Sequence, residues 1–331
     1  MNKITSFQLY CIFLVFLGPA AVLEQPQIVI HILGNNAWLA EIASLIPGLL
    51  IIGMYSCIIK KSGRPFPALL WEHLGLIPGK ILGFSYIVVF LLVGAYTLRL
   101  FIEFMKMNVL PATPISVFIA VLVAVAFISI RQGVQTLARI CELVTFVGVP
   151  LMLIMIIIAI LNNFHPERLM PVAHMDYKSF IRGLLVHSTL LGKLAPVLLL
   201  GFFLPDKDRS YAVMKYLVYT YITLITLTSI GIILTHGVLP SFHLTFPTFS
   251  MIRLARIGIF IQNIDIFFIG IVILGVFGAV AFPWFMACFT TQKILNLDDY
   301  RFIAAPSSLI IGIMAILVGT NNLEVAVWNR T

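Results

Sequence analysis

Long apolar runs alternate with short polar or Pro/Gly-rich connections along the chain. Several runs exceed the roughly 18 to 20 residues that a helix needs to cross about 30 Å of hydrocarbon, and none shows the short alternation of a membrane β-barrel. The pattern therefore predicts an all-α polytopic membrane helical bundle. Nine spans are expected, at Ile4–Ile32, Ala37–Ile59, Ile81–Met107, Ile115–Ile130, Ile140–Leu161, Phe180–Leu204, Tyr216–Thr235, Ile264–Thr290 and Phe302–Gly319.

Composition supports a membrane protein. Of 331 residues, 61% are hydrophobic and 10% are charged, which is more apolar surface than one water-soluble core can bury. The lipid bilayer is thus an expected partner. The net charge of +8 is spread over short loops rather than gathered on one face, so nucleic acid is not expected. The four cysteines have no metal-ligand or disulfide spacing and are expected to serve packing.

The basic residues also predict an orientation. Alternate loops carry twelve and seven Lys or Arg residues, and the larger number lies on the side of the amino terminus. Cytoplasmic loops carry the excess of positive charge, so the amino terminus is expected to be cytoplasmic.

Two of the expected spans contain helix-weakening residues. Span one holds Gly18 and Pro19 within "FLGPAAVLEQP", and span six, "LLVHSTLLGKLAPVLLLGFF", holds Gly192, Lys193 and Pro196. Within lipid, a broken helix persists only where protein or a watery cavity surrounds its freed backbone groups. We therefore predict that spans one and six are broken; a proline kink used only for packing is the alternative.

Paired broken spans point to a ligand site near the middle of the membrane. They take corresponding places if the single transmembrane domain, 1–331, is an inverted repeat of two five-helix halves, about 1–162 and about 178–331. Broken helices present N–H groups to an anion and carbonyl groups to a cation, and an amino acid carries both charges. The predicted ligand-binding residues are Gly18, Pro19, Ala20, Ala21, Tyr96, Leu190 and Gly192. The backbone N–H groups near Gly18 to Ala21 are assigned to the ligand carboxylate.

Charged residues within the spans form a second group of candidates, because each one needs a partner or a cavity. Two interpretations of Lys193 are open. In the functional one, its ammonium replaces a bound sodium ion or carries a coupled proton. In the structural one, it pairs with Glu24 or another carboxylate and locks the helices together. Glu24 is placed on the outer half of span one. Arg99 and Glu103, one helical turn apart, form either an outer gate or a self-neutralised pair.

Catalytic chemistry has no support in the sequence. His187 is isolated, no phosphate-binding glycine loop occurs, and the histidines lack metal-ligand spacing. We predict no enzyme activity, no cofactor and no metal.

One connection, His236–Asn263, is too apolar for a free loop. It either folds as a short helical lid over the outer mouth of the bundle or forms an interfacial helix that only covers it.

Four stretches together resemble a known family. They are "GNNAWLAEI", "GRPFPALLWEHLGLIPGKILG", "LRLFIEFMKMNVLPATP" and "RQGVQTLARICEL". In order and spacing they resemble the spore germination permeases of the GerAB type, which belong to the amino acid–polyamine–organocation transporter superfamily. The resemblance implies a ten-helix fold in the inner membrane of a bacterial spore. It also implies a small nutrient, often an amino acid, sensed together with A-type and C-type receptor subunits to trigger germination.

Two questions stay open at this stage. A proton-coupled amino-acid transporter is the alternative to a nutrient receptor, and an assembly subunit with a vestigial site is a third hypothesis. The chain also ends at Thr331, soon after "NNLEVAVW", where the resembled family begins a tenth span. We therefore expect the second repeat to be incomplete, and either the product is truncated or a shortened bundle suffices.

Overall fold

The computed structural model describes residues 4–61, 73, 75–172, 176–200, 209–256 and 263–318. Within these ranges every regular element is helical, which confirms the predicted all-α class. The helices are α1 (Ser6–Leu23), α2 (Gln25–Leu33), α3 (Ala37–Ala43), α4 (Leu45–Lys61), α5 (Leu76–Asn108), α6 (Ile115–Gln132), α7 (Val134–Asn162), α8 (Tyr177–Gly192), α9 (Val197–Leu200), α10 (Ser210–His236), α11 (Val238–Ser241), α12 (Pro247–Ile252), α13 (Asp265–Leu295) and α14 (Arg301–Leu317). Short 3₁₀ turns lie at Gly34–Asn36 and Pro166–Leu169.

The predicted polytopic bundle is confirmed. In the described part of the chain, eight helical stretches are long and apolar enough to cross a membrane. They are Ser6–Leu23, Gln25–Lys61, Ile77–Asn108, Ile115–Gln132, Val134–Asn162, Tyr177–Leu200, Ser210–His236 and Asp265–Leu295. The ninth predicted span forms α14, whose 17 residues make it shorter than the others. The end of predicted span six after Leu200 and the expected site of a tenth span lie outside the described residues.

Helix α1 lies in the interior of the bundle and packs against α7, α10 and α13. It is apolar on all sides, as expected of a helix that has neighbours all round. Thr5 and Gln8 start it with a reciprocal capping box, in which each side chain accepts the other's backbone N–H at 3.1 Å. The rings of Phe13 and Phe16 pack edge-on against Phe282 of α13, with centroids 5.4 and 5.1 Å apart.

Span one is interrupted, but later than predicted. Helix α1 continues through Gly18 and Pro19, and Glu24 (φ −120°, ψ −47°) is the single residue between α1 and α2. The placement of the break at Gly18-Pro19 was therefore wrong. Pro26 gives the physical reason: it cannot bond to the carbonyl of Val22, and its ring clashes with that carbonyl in a continuous helix. In the first turn of a new helix the missing N–H costs nothing.

Span six is also broken, within the predicted cluster of Gly192, Lys193 and Pro196 but just after Leu190 to Gly192, which were expected to form the break and are helical. Lys193 ends α8, and a turn over residues 193–196 leads to α9. The N–H of Lys193 bonds to the carbonyl of Leu190 at 3.0 Å, and the next two N–H groups repeat this tighter spacing of three residues. Pro196 has no N–H for the carbonyl of Gly192, so an α-helix cannot pass through this point unchanged.

Span two also has an interruption, which the sequence analysis missed. Helices α3 and α4 meet at Ser44, three residues before Pro47. Ser44 is fully buried, and its hydroxyl bonds to the backbone carbonyl of Glu41. The joint places Glu41, an acidic residue, next to a backbone break inside the bundle.

The described part of the connection His236–Asn263, residues 236–256 and 263, covers one end of the bundle, here called the lid end. It contains the short helices α11 and α12, and α12 packs against α1, α2, α7, α10 and α13. Phe249 and Met251 of α12 are fully buried. At the same end, the guanidinium of Arg168 donates to the carbonyls of Leu234 and Thr235, where it complements the negative end of α10.

Candidate ligand-binding site

A largely apolar cavity of about 100 Å³ lies between α1, α7, α10 and α13. Three of the predicted ligand residues, Gly18, Pro19 and Ala21, line it. A Cβ atom on Gly18 would meet no atom within 4 Å, so the missing side chain enlarges the cavity. Gly275 of α13 lies opposite, with its Cβ position 4.0 Å from the ring of Pro19. The Gly-Pro pair thus shapes a cavity wall within a continuous helix.

A charged group lies at the break of span one. Glu24 is 7% exposed, and the hydroxyl of Tyr96 on α5 donates to its carboxylate. Lys193, at the break of span six, lies within electrostatic range of the same carboxylate. Spans one, three and six therefore meet through Glu24. Both interpretations of Lys193, a structural lock with Glu24 and an ion-replacing or proton-carrying residue, stay predictions.

Gln25 adds a polar group to the same break. It is 4% exposed, and its side-chain carbonyl oxygen has no hydrogen-bond partner among the described residues. A buried acceptor without a donor is costly, because it has given up its hydrogen bonds to water. The break therefore presents a carboxylate and an amide oxygen, both of which attract a cationic N–H group.

Tyr221 of α10 connects the cavity with the charged group. Its ring lines the cavity, and its hydroxyl lies within electrostatic range of Glu24. That hydroxyl is buried and has no hydrogen-bond partner in the part of the chain that the structure describes. A ligand with an apolar part in the cavity and a polar end at Glu24 would pass Tyr221.

The other predicted ligand residues lie around the two breaks. Ala20 is buried in α1, and its carbonyl accepts the N–H of Glu24 at 3.2 Å. Leu190 is buried in the last turn of α8, whereas Gly192 is exposed and has open space around its Cβ position. The N–H groups around Gly18 to Ala21 belong to a helix that continues to Leu23. They are therefore not the freed groups of the break, and the assignment of these N–H groups to a ligand carboxylate requires correction.

Arg99 and Glu103 form a buried ion pair on α5. They are 4% and 8% exposed, and the guanidinium donates to the carboxylate one turn later. The pair neutralises its own charge, which is one of the two predicted interpretations. A role as a gate stays a prediction.

Aromatic side chains close the cavity towards the lid end. Phe268 of α13 lines the cavity, and its ring centroid lies 5.7 Å from that of Phe249 on α12. Phe104 of α5 packs edge-on against Phe249, Phe246 and Phe268 at 5.2, 5.3 and 6.1 Å. The lid segment therefore contacts the cavity wall directly.

Glu41 is a residue whose environment the sequence analysis missed. It is 0% exposed, and its Oε1 accepts a hydrogen bond from Ser229 of α10 at 2.6 Å. Its Oε2 has no hydrogen-bond partner among the described residues. The sequence signal for Glu41 was present in "GNNAWLAEI", where an acidic residue stands four positions after the start of an apolar segment. Acidic residues within membrane spans are costly and commonly functional.

Comparison with known proteins gives one consistent result. A family model described as "Spore germination protein" matches residues 3–323. The chain is 23% identical to spore germination protein KB of Bacillus subtilis (strain 168), over 97% of this chain and 87% of that protein. It is 24% identical to spore germination protein YndE of the same organism, over 96% and 86% of the two chains. It is also 22% identical to that organism's putative spore germination protein YfkT, over 89% and 82%.

Proposed function

Because the chain belongs to the spore germination protein family, we propose that it is the membrane subunit of a germinant receptor. In this proposal it binds a small nutrient, an amino acid, from outside the spore inner membrane and triggers germination together with A-type and C-type subunits. The observation that carries the proposal is that two oppositely charged residues, Glu24 and Lys193, lie within electrostatic range of each other at two helix breaks beside an apolar cavity.

The site offers a complementary group for each part of an amino acid. The ligand ammonium is assigned to Glu24, Tyr96 and the side-chain oxygen of Gln25. The ligand carboxylate is assigned to Lys193 and to the first turn of α2, where freed N–H groups and the helix dipole favour an anion. An apolar side chain enters the cavity beside Gly18. A cavity of about 100 Å³ favours a small aliphatic side chain over an aromatic one.

Binding at this place can be transmitted because the site joins separate helices. A ligand between the two breaks contacts spans one and six at once, and the cavity wall touches the lid helix α12 through Phe268 and Phe249. A ligand shifts the bundle only by binding the closed form more tightly than the open form. We assign the signal to this closure, which changes the surface that partner subunits contact.

A transport test separates the receptor from its main alternative. Purified protein in liposomes is offered radiolabelled amino acids, with and without an inward proton gradient. The receptor hypothesis predicts saturable binding without accumulation. Accumulation that depends on the gradient would support the alternative of a proton-coupled transporter, for which the charge of Lys193 within electrostatic range of Glu24 is the supporting observation.

Variants at the break test the site itself. Glu24→Gln keeps the shape of the side chain but removes its charge, and we expect at least about tenfold weaker binding, since a hydrogen bond to a charged group contributes about 1.5–3 kcal/mol. Glu142→Gln on α7 is the matched control, because its carboxylate contacts the side chain of Gln8 and does not line the cavity. Equal affinity of Glu24→Gln and wild type would reject this site.

A further inference from the structure

A second buried polar group lies at the contact of α3, α8 and α10, and it shares Tyr221 with the wall of the nutrient cavity. We call it the Glu41 cluster, formed by Glu41, His187, Tyr221 and Ser229. Ser229 donates to Glu41 at 2.6 Å, and the hydroxyl of Tyr221 lies within electrostatic range of Glu41. The ring of Tyr221 stacks on that of His187 at a centroid distance of 6.0 Å. All four residues are buried.

The cluster has more polar atoms than internal hydrogen bonds. Oε2 of Glu41, the hydroxyl of Tyr221 and both ring nitrogens of His187 are buried without a hydrogen-bond partner among the described residues. Two further polar atoms are buried without a hydrogen-bond partner among the described residues. They are the indole nitrogen of Trp38, three residues before Glu41, and the hydroxyl of Thr226, three residues before Ser229. Residues three apart share a helix face. The unpartnered groups therefore lie on the facing sides of α3 and α10.

Ionised Glu41 would be strongly unfavourable here. A carboxylate needs several donors or a nearby cation when it leaves water, and among the described residues Glu41 has one donor, the hydroxyl of Ser229. A protonated carboxyl carries no charge, so burial favours the protonated form.

No cation compensates Glu41 from the helices packed against it. The elements in contact with α3 are α2, α4, α8, α10 and the 3₁₀ turn before it. The titratable groups that face Glu41 from α10 and α8 are Tyr221 and His187. His31 of α2 is exposed and stacks on Phe242, and Lys60 and Lys61 are exposed at the far end of α4. Lys193, after α8, is in electrostatic range of Glu24.

We propose that Glu41 is a proton-binding site of this protein, whose carboxyl holds a proton while α3 and α10 are in contact and exchanges it when they separate. Burial away from water favours the neutral carboxyl, because Ser229 is the one hydrogen-bond donor to Glu41 among the described residues and Oε2 has none there. Tyr221 also lies within range of Glu24, so the protonation of Glu41 is coupled to the charge at the helix break. This site does not depend on the identity of the nutrient.

Infrared spectroscopy tests the proposal directly. Purified protein in lipid nanodiscs is titrated across neutral pH, and the carbonyl stretch of protonated carboxylic acids is followed. We expect a band that persists at a pH where exposed carboxylates are ionised and that is absent from Glu41→Gln. Glu167→Gln is the control, because a backbone hydrogen bond and the neighbouring His165 hold the pKa of this exposed carboxyl below its usual range; its spectrum should equal that of wild type.

A second variant keeps the test decisive if Glu41→Gln does not fold. Ser229→Ala keeps Glu41 but removes its hydrogen-bond donor, so the same band is expected to shift in frequency without disappearing. A wild-type spectrum without a protonated carboxyl at neutral pH would overturn the proposal. A band that is unchanged in both Glu41→Gln and Ser229→Ala would do the same, because it would belong to another acid.

Discussion

At the scale of single residues, the site depends on charges that are matched across helices. Glu24 and Lys193 each occupy a helix break, and they lie within electrostatic range of each other. Breaking a buried pair by removing one partner is usually costly, whereas removing both charges is often close to neutral. This asymmetry gives a prediction that does not require the nutrient.

Lys193→Gln and Glu24→Gln should each lower the unfolding temperature, and the double variant should recover much of the loss. We expect a coupling free energy of about 1–3 kcal/mol between the two sites. Thermal unfolding of the four proteins in detergent measures it, with Lys178→Gln, an exposed lysine on α8, as the control. Strictly additive losses would show that the two charges do not pair.

Gly18 of α1 and Gly278 of α13, which packs against α1, should respond in opposite ways to an added side chain. Gly18 has open space around its Cβ position, whereas a Cβ on Gly278 would lie 2.6 Å from Cγ1 of Val15. Gly18→Ala should therefore keep wild-type stability, and Gly278→Ala should lose about 1–3 kcal/mol through overpacking.

Gly18→Leu should fill the cavity and abolish nutrient binding while the protein stays in the membrane. An unchanged dose response in Gly18→Leu would reject the cavity as the binding place.

At the scale of elements, the sequence predicted the identity of the broken spans more reliably than the position of the break within each span. Pro19 and Pro26 each remove one backbone bond, and from sequence the two are equivalent. Pro19 stays within α1, and the helix instead divides at Glu24. Packing around each freed carbonyl decides between the two prolines, and that packing is not encoded locally. Similarly, Glu41 and Ser229 are 188 residues apart, and their contact depends on helix rotations that apolar patterns leave undetermined.

The lid helix α12 should hold the bundle closed through one side chain. Phe249 is 1% exposed and packs on Phe104 and Phe268. Phe249→Ala should cost about 3–5 kcal/mol in unfolding free energy and should speed the release of bound nutrient. Phe267→Ala, which removes a 56% exposed neighbour of Phe268, is the matched control. Equal release rates from both variants would exclude the lid from the closing step.

At the scale of the whole molecule, the chain crosses the membrane several times, and its breaks at Glu24 and Ser44 are buried among neighbouring helices. Apolar side chains such as Phe146, Leu309 and Phe302 are 78%, 70% and 81% exposed, which suits lipid rather than water. The span pattern and the burial of the breaks were both accessible from hydropathy. The side of the membrane that each loop faces depends on charge counts alone.

Thiol labelling tests that orientation. The expected cytoplasmic amino terminus places the lid end outside and the α13–α14 connection inside. In a variant without the four native cysteines, Arg253→Cys should react with a membrane-impermeant maleimide in intact cells that produce the protein. Asp298→Cys should react only after permeabilisation. Both side chains are exposed, so the reverse labelling pattern would invert the assigned topology.

The single-residue joint at Glu24 has a mechanical consequence. Helix α2 has 9 residues, a length of about 14 Å at 1.5 Å per residue. A tilt of about 10° at the joint would move its far end by about 2 Å. Near that end, the ring of His31 stacks on Phe242 at 4.4 Å, within the segment that covers the bundle. We therefore expect a change in the charge of Glu24 to tilt α2 about this joint and to displace the segment around Phe242.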